Sequence, residues 1–176
     1  MKKHLILAIL FILILFPKNV ISQQKVGDVA PELPKLKIIN NEFPDLENKF
    51  VFLDFWATYC DPEVRSLVHL NTLALRFQKR VVYIAVTDEN EEKVRSFLQN
   101  QHWDDIYFGL DEDGIYHKKF SIGDIPVYFL ISPDHIILST GVSTELKDYK
   151  LDSIVNKVDS LMQIKINNDK FSYRKL

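Results

Sequence analysis

The stretch Phe50-Val51-Phe52-Leu53-Asp54-Phe55-Trp56-Ala57-Thr58-Tyr59-Cys60-Asp61-Pro62-Glu63 joins two patterns that decide the fold. From Phe50 to Trp56 the apolar residues are consecutive, broken only by Asp54, which predicts a strand covered on both faces. From Pro62 the period changes. Val64, Leu67, Val68, Leu70, Leu73, Ala74 and Phe77 recur at spacings of three and four, which predicts an amphipathic helix. Asp61, Pro62 and Glu63 read as its start, with aspartate as the cap, proline as the first helical residue and an acid in the first turn. Between strand and helix lies Cys60, the single cysteine of the chain.

Downstream the pattern repeats. Val81-Val82-Tyr83-Ile84-Ala85-Val86 is a second buried strand, and Asp88 with Glu91 reads as a capping-box-like start for a helix carrying Val94, Phe97 and Leu98. Ile106 to Leu110 predicts a short strand, Asp111-Glu112-Asp113-Gly114 a solvated turn, and Ile115 to Phe120 a brief helix. Val127–Ile131 and His135–Leu138 form a hairpin about Ser132-Pro133-Asp134, followed by a helix with a stripe of Leu151, Ile154, Val155, Val158, Leu161 and Met162. Strand and helix alternate first, and a hairpin plus helix follow. That order predicts an α/β sandwich with a mixed central sheet.

Upstream, Met1-Lys2-Lys3-His4 precedes an unbroken apolar run from Leu5 to Phe16, then Val20-Ile21-Ser22. A basic n-region, a short h-region and a small residue predict a signal peptide over 1–22. A run of this length falls short of the roughly 20 residues that a helix needs to cross a bilayer. The chain is therefore expected to be exported to the periplasm, with an uncleaved membrane anchor as the alternative. Residues 23–165 are expected to form one domain, and 166–176 a polar tail. Removing 1–22 takes away three lysines and leaves a net charge of about −5, with no electrostatic footprint for nucleic acid. The five histidines show no ligand spacing, so no metal is expected, and Asp111–Gly114 is too short for a calcium loop. An exported domain with one cysteine has no internal disulfide to rely on, so Cys60 is a free thiol or pairs with another molecule.

Four segments carry a resemblance to a known family. Gly27-Asp28-Val29-Ala30-Pro31, Leu53 to Pro62 around Cys60, Gly123-Asp124-Ile125-Pro126-Val127-Tyr128-Phe129-Leu130-Ile131 and Ser132-Pro133-Asp134-His135 occur in this order across the chain. Together they resemble the exported TlpA-like and ResA-like thiol–disulfide oxidoreductases of the thioredoxin fold. The resemblance implies a thioredoxin-like three-layer sandwich, a cis peptide before Pro126, no cofactor, and protein or peptide thiols and disulfides as partners. It also implies departures. Glu63 stands where the Cys-x-x-Cys motif has its second thiol, Val68 where a proline often kinks the helix, and Val127 where a small hydroxyl residue follows the cis-proline.

The candidate catalytic residues are Cys60, Glu63 and Asp54, and the candidate substrate-binding residues are Trp56, Tyr59, Pro62, Ile125 and Pro126. Cys60 before a helix N-terminus is favoured as a thiolate by the dipole and disfavoured by Asp61 and Glu63. Glu63 reads either as a helix-start acid or as a proton carrier beside Cys60. Asp54 stands where many thioredoxins keep a buried acid that exchanges protons with the second thiol. Here it is either a water-satisfied buried carboxyl or shares a proton with Glu63. Two functions remain open: a single-cysteine exchange protein that needs an external thiol, and a redox-inactive binding module using the groove around Cys60 and Pro126. A peroxidase fits less well, because such sites place threonine three residues before the cysteine, where this chain has Ala57.

Overall fold

The computed structural model describes residues 24–33 and 36–173, with side chains through residue 161. The expected signal peptide, with its cleavage point, and Pro34 lie outside the described residues. So do the last three residues of the tail.

Elements follow in the order β1 (Lys37–Ile38), β2 (Phe50–Phe55), α1 (Asp61–Phe77), β3 (Val81–Thr87), α2 (Glu91–Leu98), β4 (Tyr107–Leu110), α3 (Ile115–Lys119), β5 (Val127–Ile131), β6 (Ile137–Gly141), a 3₁₀ turn (Ser143–Glu145) and α4 (Asp148–Tyr173). The strands make one sheet in the order β1-β4-β3-β2-β5-β6. β2, β3 and β4 run parallel, whereas β1, β5 and β6 pair antiparallel with their neighbours. β2 is thus a central strand with Phe50 beside Val81 on one side and Phe55 beside Val127 on the other. This is the expected mixed sheet of a thioredoxin-like α/β sandwich.

Because successive side chains of a strand point to opposite faces, each central strand feeds two cores. Phe50, Phe52 and Trp56 join Tyr83, Phe108, Tyr128 and Leu130 on one face, under Leu67, Leu70, Leu73 and Phe77 of α1 and Leu151 and Val155 of α4. Val51, Leu53 and Phe55 join Val82, Ile84, Phe129 and Ile131 on the other face, under Tyr116 and Phe120. The absence of alternation in the sequence is the signature of this double burial.

Several local expectations are corrected. α1 begins one residue earlier than read: Cys60 occupies the cap without a side-chain cap bond, and Asp61 and Pro62 are the first two helical residues. Val68, counted in the apolar stripe, is 60% exposed, since it lies about 100° round the helix from Leu67. α2 is capped by Asn90, whose side chain accepts from Lys93 N at 3.0 Å, in place of Asp88. β6 starts at Ile137, because Ser132–His135 closes the turn and His135 takes a left-handed conformation. Asp111 belongs to no solvated turn. It is buried, accepts from the backbone N–H groups of Tyr116 and His117, and lies 2.7 Å from His117 Nδ1. The α4 backbone runs from Asp148 to Tyr173.

The sheet edges are short or partly covered. β1 offers two residues, and at the opposite edge the N-terminal segment lies against the start of β6. There Gly27 N–H donates to Ile137 O at 2.8 Å and Ile137 N–H donates to Asp28 O at 2.9 Å.

Candidate active site around Cys60

The loop between β2 and α1 is short and tied at each end. Trp56 N–H donates to Val86 O at 3.0 Å, extending the β2–β3 ladder by one step, and Cys60 N–H donates to Ala57 O at 3.0 Å. Cys60 O accepts from Val64 N–H at 3.0 Å and opens the helix. Cys60 is a free thiol, partly exposed at the helix N-terminus. Tyr59 before it is 69% exposed, and Pro62 after it is exposed.

Trp56 behaves differently from the sequence expectation. It is wholly buried, its ring 5.6 Å from Phe97 and 5.5 Å from Phe108, so its side chain lines no accessible groove. The reason is parity: Trp56 is two residues beyond Asp54 and four beyond Phe52, on the face that α1 covers.

The same parity aims Asp54 at α1, and helix geometry brings Glu63 to meet it. Glu63, Leu67, Leu70, Ala74 and Phe77 follow one another at steps of four and three, so Glu63 heads the buried stripe. Its exposure is 0%, and neither carboxyl oxygen has a hydrogen-bond donor among the described residues. Asp54 Oδ2 has none either, while Asp54 Oδ1 accepts from the Ser143 hydroxyl. Burial, followed by the neighbouring Glu63 carboxyl, raises the Asp54 pKa well above the usual carboxylate range, and the Cys60 sulfur adds to this. The Ser143 hydroxyl pulls in the other direction without prevailing. Asp54 and Glu63 are thus neighbouring buried carboxyls, and Glu63 is at once an acid of the first helical turn and the head of the buried stripe.

A second acid reaches the loop from the other side. Glu89, in the β3–α2 connection, accepts Thr58 N–H at 2.6 Å through Oε2 and the Thr58 hydroxyl at 2.9 Å through Oε1. Lys93 Nζ lies 2.5 Å from Glu89 Oε1 and 5.3 Å from the centre of the Tyr59 ring. Burial acts to raise the Glu89 pKa, but the hydrogen bonds from Lys93 and Thr58 outweigh it and hold the carboxyl below its ordinary range.

The Ile125–Pro126 peptide is cis, and both residues are partly exposed. Since Phe55 pairs with Val127, the β5 register carries Ile125 and Pro126 past the end of β2, the end from which the Cys60 loop leaves. Cys60, Asp54 and Glu63 therefore gather at one sheet end, with Ile125 and Pro126 at the same end and Trp56 withdrawn into the core. Sequence reading missed Ser143, Glu89 and Lys93. Ser143 and Glu89 bond side chains far along the chain, and no local pattern marks them, whereas Lys93 is visible only as an i,i+4 partner of Glu89. No group of His, Cys, Asp and Glu among the described residues is placed to hold a metal, and no described helix is long and apolar enough to cross a membrane.

Residues 48–137 match the thioredoxin-like family model. The chain is 30% identical over 140 residues to the thiol-disulfide oxidoreductase ResA of Oceanobacillus iheyensis, covering 74% of this chain and 71% of that one. It is 28% identical over 145 residues to ResA of Bacillus cereus, covering 80% of each. Among solved structures it is similar to StoA from Bacillus subtilis, with a TM-score of 0.58, 21% identity, and coverage of 65% of this chain and 90% of that one. The DsbE thiol:disulfide interchange protein of Chlorobium tepidum gives a TM-score of 0.66 at 22% identity, covering 76% of this chain and 99% of that one. At these identities the structural likenesses bear on the fold alone.

Proposed function

This chain belongs to the thioredoxin-like family, and from that premise we propose that it is an exported thiol–disulfide exchange protein working through the single thiol of Cys60. The observation that carries this reading is the pairing of a partly exposed Cys60 at a helix start with a buried Glu63 three residues on, on the helical face turned toward Asp54. The relatives named as thiol-disulfide oxidoreductases support protein or peptide disulfides as substrates.

In the proposed reaction the Cys60 thiolate attacks one sulfur of a substrate disulfide. The substrate S–S bond breaks, a Cys60–substrate mixed disulfide forms, and the second substrate sulfur leaves as a thiolate that takes a proton from water. Release needs a second thiol. If a substrate thiolate attacks the mixed disulfide, the net result is isomerisation with no change in oxidation state. Two equivalents of an external low-molecular-weight thiol give net reduction: one releases the substrate thiol, the second frees Cys60, and the two leave as their own disulfide. An internal thiol can reach an effective molarity on the order of 10⁵ M, which no millimolar external thiol matches, so turnover is slow compared with a two-cysteine protein. Burial beside Glu63 favours the neutral form of Asp54, and a neutral Asp54 repels the Cys60 thiolate less than an ionised one would.

Intact mass of the full chain after incubation with a disulfide-bridged peptide at neutral pH, with Cys60→Ser beside it, tests the reading. A wild-type adduct that is missing from Cys60→Ser and removed by excess glutathione is expected. No adduct at all would leave the family's fold serving as a binding module.

A further inference from the structure

Cys60 is fixed at its own amide, but the two residues before it are held from outside the loop. Thr58 is bound through both its amide and its hydroxyl to one carboxylate, and the amide bond, at 2.6 Å, has the shortness of a charge-assisted contact. That carboxylate is itself located. Its side chain is 8% exposed, and the Glu89 backbone N–H donates at 3.3 Å to the hydroxyl of Thr87, the buried last residue of β3. Its counter-ion, Lys93, stands on the first turn of α2 and serves two neighbours at once, the Glu89 carboxylate and the face of the Tyr59 ring. Tyr59 is otherwise largely in solvent, where an aromatic side chain moves among its rotamers.

We propose that Glu89 and Lys93 form a clamp that positions the Cys60 loop for exchange, Glu89 fixing the Thr58 backbone and Lys93 fixing the Tyr59 ring. The β3–α2 connection thereby sets the direction from which a peptide disulfide approaches the sulfur. Neither residue touches the reacting atoms, so both are positioning residues. The clamp rests on the exchange reading for its purpose, but its mechanical part, the hold on Thr58, stands without it.

The test measures three quantities on the full chain. These are amide hydrogen exchange at Thr58, with Leu53 and Val86 as references, the rate of Cys60 alkylation by iodoacetamide, and the rate of mixed-disulfide formation with a disulfide-bridged peptide. Glu89→Ala is expected to speed Thr58 exchange by about tenfold or more, the scale of a lost charge-assisted hydrogen bond, with Leu53 and Val86 unchanged. It is also expected to slow mixed-disulfide formation by about fivefold or more while iodoacetamide, too small to need orientation, reacts within about twofold of wild type. Glu89→Gln keeps an acceptor for Thr58 and loses the attraction for Lys93. It should therefore raise Thr58 exchange by less than Glu89→Ala does and slow mixed-disulfide formation to the extent that Lys93→Met does. Unchanged Thr58 exchange in Glu89→Ala overturns the clamp, as does a rise of equal size at Leu53 and Val86, which would mean general loosening. Faster Thr58 exchange with an unaltered mixed-disulfide rate overturns its positioning role. A wild type that forms no mixed disulfide sinks the exchange reading instead, and Thr58 exchange alone then decides whether the clamp exists.

Discussion

Besides exposed Asp61, three carboxyl groups border the Cys60 loop, and its inner and outer sides treat them in opposite ways. On the inner side Asp54 and Glu63 face each other in the core with a serine hydroxyl and, among the described residues, no paired cation, and Asp54 is driven toward its neutral form. On the outer side Glu89 has Lys93 and two Thr58 donors, and is driven toward its charged form. The aromatic residues divide likewise, with Trp56 inside and Tyr59 outside. The same functional group thus becomes a proton store or a fixed anion according to whether its neighbour is another acid or an ammonium. The loop carries one of each.

The largest effect that would sharpen this contrast is at Trp56. Trp56→Ala empties a fully enclosed site and is expected to cost about 3–5 kcal/mol in chemical denaturation. A cost below 1 kcal/mol would mean that the inner side is not packed as described. Next comes the pH dependence of stability. The folded Asp54 pKa lies above its unfolded value, so the folded state holds the extra proton, and stability falls as pH rises from the unfolded carboxyl pKa, about 3.9, toward the folded one. Within that window Asp54→Asn is expected to gain on wild type by about 1.4 kcal/mol for each pH unit, with no gain at the acid end. Parallel curves from pH 4 to 8 would break the inner pair.

Glu89 has the opposite sign and a smaller size. Its folded pKa is lowered, so its contribution is complete above the unfolded pKa and is lost as pH falls through the folded one. Because Lys93 is half-exposed and solvent screens its side of the pair, Glu89→Gln is expected to cost about 1 kcal/mol at pH 7, and less in molar salt. Thermal melts at two ionic strengths check this. Smallest is Tyr59→Ala, expected to stay within about 0.5 kcal/mol of wild type in the same melts while it slows adduct formation with a peptide disulfide. A large loss of stability there would place Tyr59 with Trp56.

The difference between the sides also explains what was legible in the chain. Consecutive apolar residues in β2 and β3 announced a doubly covered sheet, and the three-and-four spacing in α1 announced its buried stripe. The Asp54–Glu63 meeting was implicit in those patterns, since Asp54 shares parity with Phe52 and Glu63 stands four before Leu67. Reading Glu63 as a first-turn acid obscured it, because helix-start chemistry and core periodicity compete at that position. Trp56 was misplaced for a related reason. Its neighbourhood suggested a site, whereas its parity belongs to the core. Ser143 and Glu89 act across 89 and 31 residues of chain respectively, and such distant side-chain bonds leave no local trace. Asn90 took the cap from Asp88 because α2 starts at Glu91 and its first free amides lie beyond the reach of Asp88.

The sheet's margins carry a consequence for how this protein meets others. β1 is too short to template another strand, and residues 27 and 28 occupy backbone positions of Ile137 at the start of β6. Little ladder is left for a neighbour to extend at the first margin, and the second is blocked at one end. Misassembly by edge-to-edge zipping is discouraged, which matters for a chain with no internal cross-link to hold it together.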